Sequence, residues 1–357
     1  MKNKIFTLIM IIGVISVVGS AYYFIRNYMN RGLDLNKMAW ESSYRERNLP
    51  VPESGPREGY WGARTGKEVR DERSGWRENE IHIPGLVEVD ALGLQYFRSS
   101  AEIRHRVIIV GGSVAYGAYA SKISTTYFNI IGVELERRSL PVEIIIISSG
   151  AWKSVQEVHA LEFHLQRLQP DLVVFLDGLN DLTSGSTYQA LFAEETPTHD
   201  GSPWHVLYHA HDYALRVSYY LKNMTIAREM TAVRGIDMLV VLQPSLNERT
   251  RRTEIEDRIL SMSLLPHASS NALSESYSSI RKSMTDLARS SNFSFLDCSK
   301  VLDAEKETVF TDIWHFTDFG HRVLGGVMAE KIAEILNRRT VNGTNTRLDQ
   351  SVREKGL

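Results

Sequence analysis

The chain has 357 residues, of which 43% are hydrophobic and 24% charged, enough apolar material to bury one sizeable core with a small accessory region beside it. Its 41 Lys and Arg against 43 Asp and Glu give a formal net charge of −2, so no cationic excess exists to neutralise phosphates, and a nucleic-acid partner is not expected. The lone cysteine, Cys298, excludes an intrachain disulfide, leaves the redox compartment open, and among Phe293, Phe295 and Leu296 reads as a core position.

Ile5 to Ile25 is almost uncharged and long enough to cross a bilayer as a helix, with Lys2 and Lys4 before it and Arg26 and Arg31 after it. The run exceeds the usual apolar segment of a cleaved leader, so residues 1–30 are read as an uncleaved signal anchor, with Val18, Ser20 and Ala21 as a poor cleavage alternative. No polar face interrupts it, as one would in a terminal helix packed on a core. The flanking charges are nearly balanced. The favoured orientation keeps the amino terminus inside and the rest outside the cytoplasm, as a single-pass membrane protein.

Residues 31–100 are polar, aromatic and irregular, with Pro50, Pro52, Pro56, Gly55, Gly59, Gly62 and Gly66 breaking any period and a charged, solvated run from Lys67 to Arg77. They are expected to form a membrane-proximal accessory region. Trp40, Tyr60, Trp61 and Trp76 are read first as packing that region against its neighbour, with a carbohydrate platform as the alternative.

From Glu102 onward, strands at Val107, Val142, Leu172, Met238 and Phe293 alternate with helical patterns, which predicts a doubly wound parallel sheet over residues 101–338 and a polar tail at 339–357. Val107 to Val110 is a continuous β-branched run suited to a strand buried on both faces. Gly111 and Gly112 then allow a sharp turn, leaving Ser113 at the carboxyl end. Val142 to Ile147 ends in Ser148, Ser149 and Gly150, and Leu172 to Leu176 ends in Asp177, Gly178, Leu179, Asn180 and Asp181. The strand from Phe293 to Leu296 is followed by a loop carrying Asp312 and His315. In a parallel sheet these ends share one edge, which gathers a nucleophile, a base with an orienting acid, and oxyanion donors in one crevice. Ser154 and Glu157 form a capping-box pattern, and Val158, Leu161, Leu165 and Leu168 recur on one face of the helix that follows.

Thr183 to Tyr220, rich in Thr, His, Tyr and Pro, is a candidate lid or substrate wall. His205, His209 and His211 suggest a metal at first sight, but no set at a zinc spacing completes them, and His159 and His164 are poorly aligned on a helix; no metal is expected. Helices are predicted over Arg249 to Leu265, Leu273 to Arg289 and Phe319 to Leu336, the last with Val323, Leu324, Val327, Ile332 and Leu336 on its core side.

Gly111 to Ser113, the Gly-x-Asn-Asp at Gly178 to Asp181 and the Asp-x-x-His at Asp312 to His315 resemble, in order, three blocks of the SGNH/GDSL hydrolase family, with VVLQPSL at Val240 to Leu246 and TDFGH at Thr317 to His321 similar in character. The likeness covers about residues 100 to 338. It implies a three-layer, flavodoxin-like α/β fold with a central parallel sheet, and a serine esterase with Ser113 as nucleophile, His315 as base and Asp312 as its orienting acid. The implied oxyanion hole comprises the Ser113 amide, an amide near Gly150 and the Asn180 side chain. Neither a metal nor an organic cofactor is implied.

Two positions depart from the family pattern. The second block has no asparagine before its glycine, and matching Ser154, Gln156 and Glu157 to similar stretches places Ala151 rather than Gly150 at the oxyanion position. The usual acidic residue before the nucleophile is replaced by Gly112. The expected function is a membrane-anchored hydrolase that cleaves ester bonds through an acyl-enzyme, with O-acetyl groups of a polysaccharide as one candidate substrate. Its alternatives are an O-acyltransferase using the same acyl-enzyme and a non-catalytic glycan-binding or assembly protein that retains the fold. The sequence points to no particular protein partner.

Overall fold

The computed structural model describes residues 34–64, 66–183, 213–262 and 267–341. The expected anchor at Ile5 to Ile25, the three histidines His205, His209 and His211, most of the candidate lid, and the tail from residue 342 lie outside the described residues. Among those described, no helix is long and apolar enough to cross a membrane, and no cluster of side chains is suited to hold a metal ion.

A helix over 34–45 (α1) opens the described chain. Two short hairpins follow, β1 (Glu68–Asp71) with β2 (Gly75–Glu78) and β3 (Ile81–Ile83) with β4 (Val87–Val89), and then β5 (Leu94–Arg98). The α/β portion runs β6 (His105–Gly111), α2 (Tyr127–Arg137), β7 (Val142–Ser148), α3 (Ser154–Leu168), β8 (Leu172–Asp177) and the short α4 (Leu179–Thr183). It continues with α5 (Tyr213–Ala232), β9 (Asp237–Leu242), α6 (Glu254–Met262), α7 (His267–Ser290), β10 (Ser294–Asp297) and α8 (Asp318–Val341).

The main sheet has six strands in the order β10-β9-β8-β6-β7-β5. The five strands expected from the sequence are parallel to one another, and β5 is an antiparallel edge strand paired to β7 from Leu94↔Ile147 to Arg98↔Glu143. Along β6 the side chains alternate between two cores. Val107 and Ile109 join α2, α8 and Phe316 on one face, while Ile108 and Val110 join α3, α5 and α7 on the other. Both faces are therefore dry, which is why the strand reads as an unbroken apolar run. Each such fully buried Val or Ile contributes roughly 1.5–3 kcal/mol.

The parallel strands taken in chain order lie 2-1-3-4-5 across the sheet, the flavodoxin-like arrangement, and the order reverses between β6 and β8. A crevice opens at that switch point. Ser113 follows β6 and Asn180 follows β8, so the topology sets them on its two sides.

The expected division at residue 100 does not separate two bodies. β5 completes the main sheet, and Leu35, Ala39, Tyr60, Ile81, Val87 and Val89 share one core with Val107 and Phe316. The tail boundary also moves: α8 continues to Val341, and the Arg339 guanidinium donates to the Gly235 carbonyl at 3.0 Å and to Asp237 at 3.1 Å.

Candidate active site

Gly111 ends β6 beside the Leu176 carbonyl, where a Cβ would lie 2.4 Å from that oxygen. The chain then winds through consecutive tight turns, with Ala115 N–H donating to the Gly112 carbonyl and Ala118 N–H to the Ser113 carbonyl, instead of entering a helix directly. This leaves the Ser113 hydroxyl at the mouth of the crevice. The Ser113 main-chain N–H meets no acceptor among the described residues.

Asp312 and His315 lie on the loop before α8. The Asp312 Oδ1 accepts the main-chain N–H groups of Trp314 and His315, each at 2.7 Å, which folds the loop back on its own carboxylate. Its Oδ2 faces His315 Nδ1 at 2.8 Å, and His315 Nε2 lies 2.8 Å from Ser113 Oγ. A carboxylate can only accept here, so Nδ1 carries the proton and Nε2 presents a lone pair to the serine hydroxyl. Burial by itself would push the Asp312 carboxyl up. The facing His315 and the two N–H donors outweigh it and hold the group below the usual carboxylate range, so it stays ionised.

Gly178, at a φ of 102° that favours glycine, turns the chain from β8 into α4. Asn180 and Asp181 therefore stand in the first turn of a short helix rather than on an open loop. Asn180 Nδ2 donates to the Trp152 carbonyl at 2.9 Å, and Asp181 accepts the Ser154 N–H and hydroxyl at 3.1 and 2.5 Å. Together they clamp the turn between β7 and α3. A Cβ on Gly112 would lie 2.4 Å from Asn180 Nδ2, so the missing side chain before the nucleophile makes room for this amide.

Within the clamped turn, Ala151 has a φ of 57°, the left-handed region in which glycine is at ease, whereas Gly150 does not. Neither residue's N–H is taken by an acceptor among the described residues. The Gly150 carbonyl accepts Trp76 Nε1 at 2.8 Å. The expected capping box is different in the structure: Lys153 is the N-cap, the Gln156 side chain accepts its N–H at 3.0 Å, and Glu157 is turned into the core.

Solved lipases, acylhydrolases and esterases are similar in fold to this chain. A lipase/acylhydrolase from Enterococcus faecalis is 14% identical over 64% of this chain and 96% of its own, with a TM-score of 0.42. A GDSL-like lipase from Bacteroides thetaiotaomicron is 15% identical over 65% and 88%, and an acetyl xylan esterase 18% identical over 64% and 99%, each with a TM-score of 0.39. No family model matches the sequence, and no curated protein does so either.

Several supporting residues were not singled out in the sequence. Tyr119, at a φ of 64°, stacks on Trp61 with ring centroids 3.9 Å apart and lies 5.2 Å from the His315 ring on its other contact. Asn36 of α1 donates to the Tyr119 hydroxyl at 2.7 Å. In the first turns of α8, His321 Nε2 donates to the Ala118 carbonyl at 3.0 Å, and Asp318 accepts the Ser121 N–H and hydroxyl at 2.9 and 2.8 Å. Burial pushes the His321 pKa down to about 4, so the ring is a neutral strut. The TDFGH stretch was the available signal for these two, since it supplies both the acid and the histidine that fasten the loop after Ser113 to the helix after His315.

Proposed function

We propose that this chain is a serine hydrolase of the SGNH/GDSL type that cleaves carboxylic esters through an acyl-enzyme on Ser113. The observation that carries the reading is the continuous relay from Asp312 through His315 to Ser113, with both links at 2.8 Å. Serine is a weak nucleophile until a base takes its proton, and the lone pair on His315 Nε2 is within reach to do so as Oγ attacks the ester carbonyl. Asp312 holds the ring in the required tautomer and stabilises the imidazolium, which then protonates the departing alcohol oxygen. Water, deprotonated by the same nitrogen, attacks the acyl-serine and releases a carboxylic acid.

The oxyanion formed in each half-reaction is assigned to the free Ser113 N–H, an N–H of the Gly150–Ala151 turn and the second amide hydrogen of Asn180. Both N–H groups of the turn are unclaimed among the described residues, so either Gly150 or Ala151 can serve as the second donor, the latter in agreement with the alternative alignment of the sequence. The residues present require no cofactor for this chemistry.

An O-acetylated polysaccharide is one candidate substrate, for which the half-buried Trp61, stacked on the buried Tyr119 that adjoins His315, offers aromatic surface near the site. We assign the chain to a membrane on the basis of the uncharged run from Ile5 to Ile25, with the catalytic domain on the extracytoplasmic side. The full chain should hydrolyse small acetyl esters and acetylated glycans, with Ser113→Ala and His315→Ala slower by at least about 10³-fold. Equal turnover by all three proteins would reject the assignment.

A further inference from the structure

The β1–β2 turn, the turn leading into β5, the end of β7 and α3 border a cavity of about 120 Å³. That is a little smaller than the engineered apolar cavity of about 150 Å³ that holds benzene. Its lining carries three basic side chains, Arg73, Arg77 and His164, and a single acid, Asp71.

The acid is already engaged. Asp71 Oδ1 accepts the main-chain N–H groups of Arg73 and Ser74 and the Ser74 hydroxyl at 2.9 to 3.1 Å, while Oδ2 faces Arg77 Nε at 3.6 Å. These hydrogen bonds outweigh burial and keep its carboxyl below the usual range. The donors are not similarly spent. His164 is only 6% exposed, and its Nδ1 has no hydrogen-bond partner among the described residues. Burial, reinforced by Arg167, lowers the His164 pKa to about 4, so the ring is neutral near pH 7 and one of its nitrogens carries a hydrogen to donate. The Arg73 guanidinium lies 3.7 Å from the centroid of the Phe163 ring and donates to no acceptor among the described residues. Arg77 commits one amino group to the Glu78 carbonyl at 2.8 Å. The rest of the wall includes Leu92, Leu94 and Ile147, which offer only apolar surface. A partly open cavity with unspent donors on Arg73 and His164, a spent acceptor and an apolar side is complementary to an anion that has a short hydrocarbon tail.

We infer that this cavity is a binding site for a small monocarboxylate, its carboxylate held by Arg73, Arg77 and the His164 ring and its alkyl chain against Leu92, Leu94 and Ile147. The site is separate from Ser113 but connected with it. Trp152 lines the cavity, and its carbonyl is the acceptor that fixes Asn180. Occupancy is therefore felt at the turn that carries the proposed oxyanion donors.

The test is calorimetric titration of the full-length chain, in mild detergent, with sodium butyrate and with butyramide as its uncharged counterpart. Butyrate should bind saturably at one site, butyramide should not, and butyrate binding should persist in Ser113→Ala, which separates this cavity from product bound at the catalytic serine. His164→Phe should weaken butyrate by about tenfold or more. Because enclosed His164 is packed within α3, Arg73→Glu at an exposed position is the second arm, expected to weaken butyrate to the same degree while thermal unfolding stays unchanged. No saturable butyrate binding, equal binding of butyramide, or unaltered affinity in Arg73→Glu would each overturn the inference, whatever the esterase assays give.

Discussion

At the scale of single residues, the Asn180 carboxamide has two hydrogens to give and, among the described residues, one acceptor, the Trp152 carbonyl at 2.9 Å. Its remaining hydrogen is the one assigned to the oxyanion. Asn180→Ala should therefore slow acylation by about 10²–10³-fold. Asn180→Asp should be at least as damaging, since a carboxylate repels both the Trp152 carbonyl and the developing negative charge. Gly112→Ala should approach the Asn180→Ala level without touching the residue itself, because the new Cβ would displace an amide that now stands 2.4 Å from its position. Single-turnover acylation with thermal unfolding checks all three, and near-normal acylation in Asn180→Asp would remove Asn180 from the oxyanion hole. Ser113 and Asn180 were legible in the sequence because each closely follows a strand-like run, so chain order brings them to one edge, whereas Asp312 and His315 stand well beyond the end of β10 and were legible through their Asp-x-x-His spacing. The left-handed backbone of Ala151 was not legible, since it leaves no mark in composition. The need for glycine at 112 was equally hidden, because it arises from a residue 68 positions away, 180 minus 112.

At the scale of elements, α3 and β8 meet through acids. Glu157 is fully buried, and its carboxyl faces Asp177, whose Oδ1 accepts the Tyr220 hydroxyl at 2.6 Å. Burial pushes Glu157 well above its ordinary 4.5, with the charges of Asp177 and Asp181 adding to the effect, and burial lifts Asp177 to about 7. The folded protein therefore keeps protons that the unfolded chain has lost. For an acid with a raised folded pKa, the favourable contribution is complete below the unfolded value and is lost as pH rises towards the folded one. Between about pH 5 and pH 7, Glu157→Gln removes one such retained proton, so the stability of the variant relative to the natural chain should rise by about 1.4 kcal/mol per pH unit. Chemical denaturation at several pH values measures it, and a difference independent of pH would show that Glu157 is ionised in the folded state. This acid pair also explains why the Ser154/Glu157 capping box was misread: the spacing is right, but the carboxyl is needed in the core and Gln156 takes the capping role. The five parallel strands were plain from their apolar runs. By contrast β5, LQYFR, is short, and its Gln95 is buried yet polar because it accepts from Tyr60 and Arg64, so nothing local distinguished it from the irregular stretch before it.

At the scale of the whole molecule, composition drew a boundary at residue 100 that the contacts cross. Asp318 accepts Trp40 Nε1 at 2.9 Å and the Tyr44 hydroxyl at 2.8 Å from α1 while also holding Ser121, so the amino-terminal helix and the nucleophile's loop share one carboxylate. Arg64 is 1% exposed and donates to the Tyr60 hydroxyl, to Gln95 and to the Tyr116 carbonyl at 2.6 to 2.8 Å, with Glu78, also 1% exposed, facing it at 3.4 Å. Such pairings join positions far apart in the chain, which is why no window of sequence reveals them. They predict that residues 34–100 are part of the catalytic fold rather than an accessory to it. Arg64→Met should destabilise the chain by about 3–5 kcal/mol, because it leaves the Glu78 carboxylate buried without its partner and leaves the Tyr60 hydroxyl as the one donor shared between Gln95 and the Tyr116 carbonyl. Burial already pushes the Glu78 carboxyl up against the opposing pull of Arg64, so once the cation is gone the acid has every reason to stay protonated. The double variant Arg64→Met/Glu78→Gln should recover part of the loss, since it removes the stranded acid while the guanidinium's hydrogen bonds to Tyr60, Gln95 and the Tyr116 carbonyl stay unmade. The loss should also reach the active site, because Tyr116 lies between Ser113 and Tyr119 on the nucleophile's loop. Thermal unfolding and ester turnover of the three proteins decide it: a loss of less than about 1 kcal/mol in Arg64→Met, the range of a surface ion pair, would mean that this region only rests against the catalytic fold.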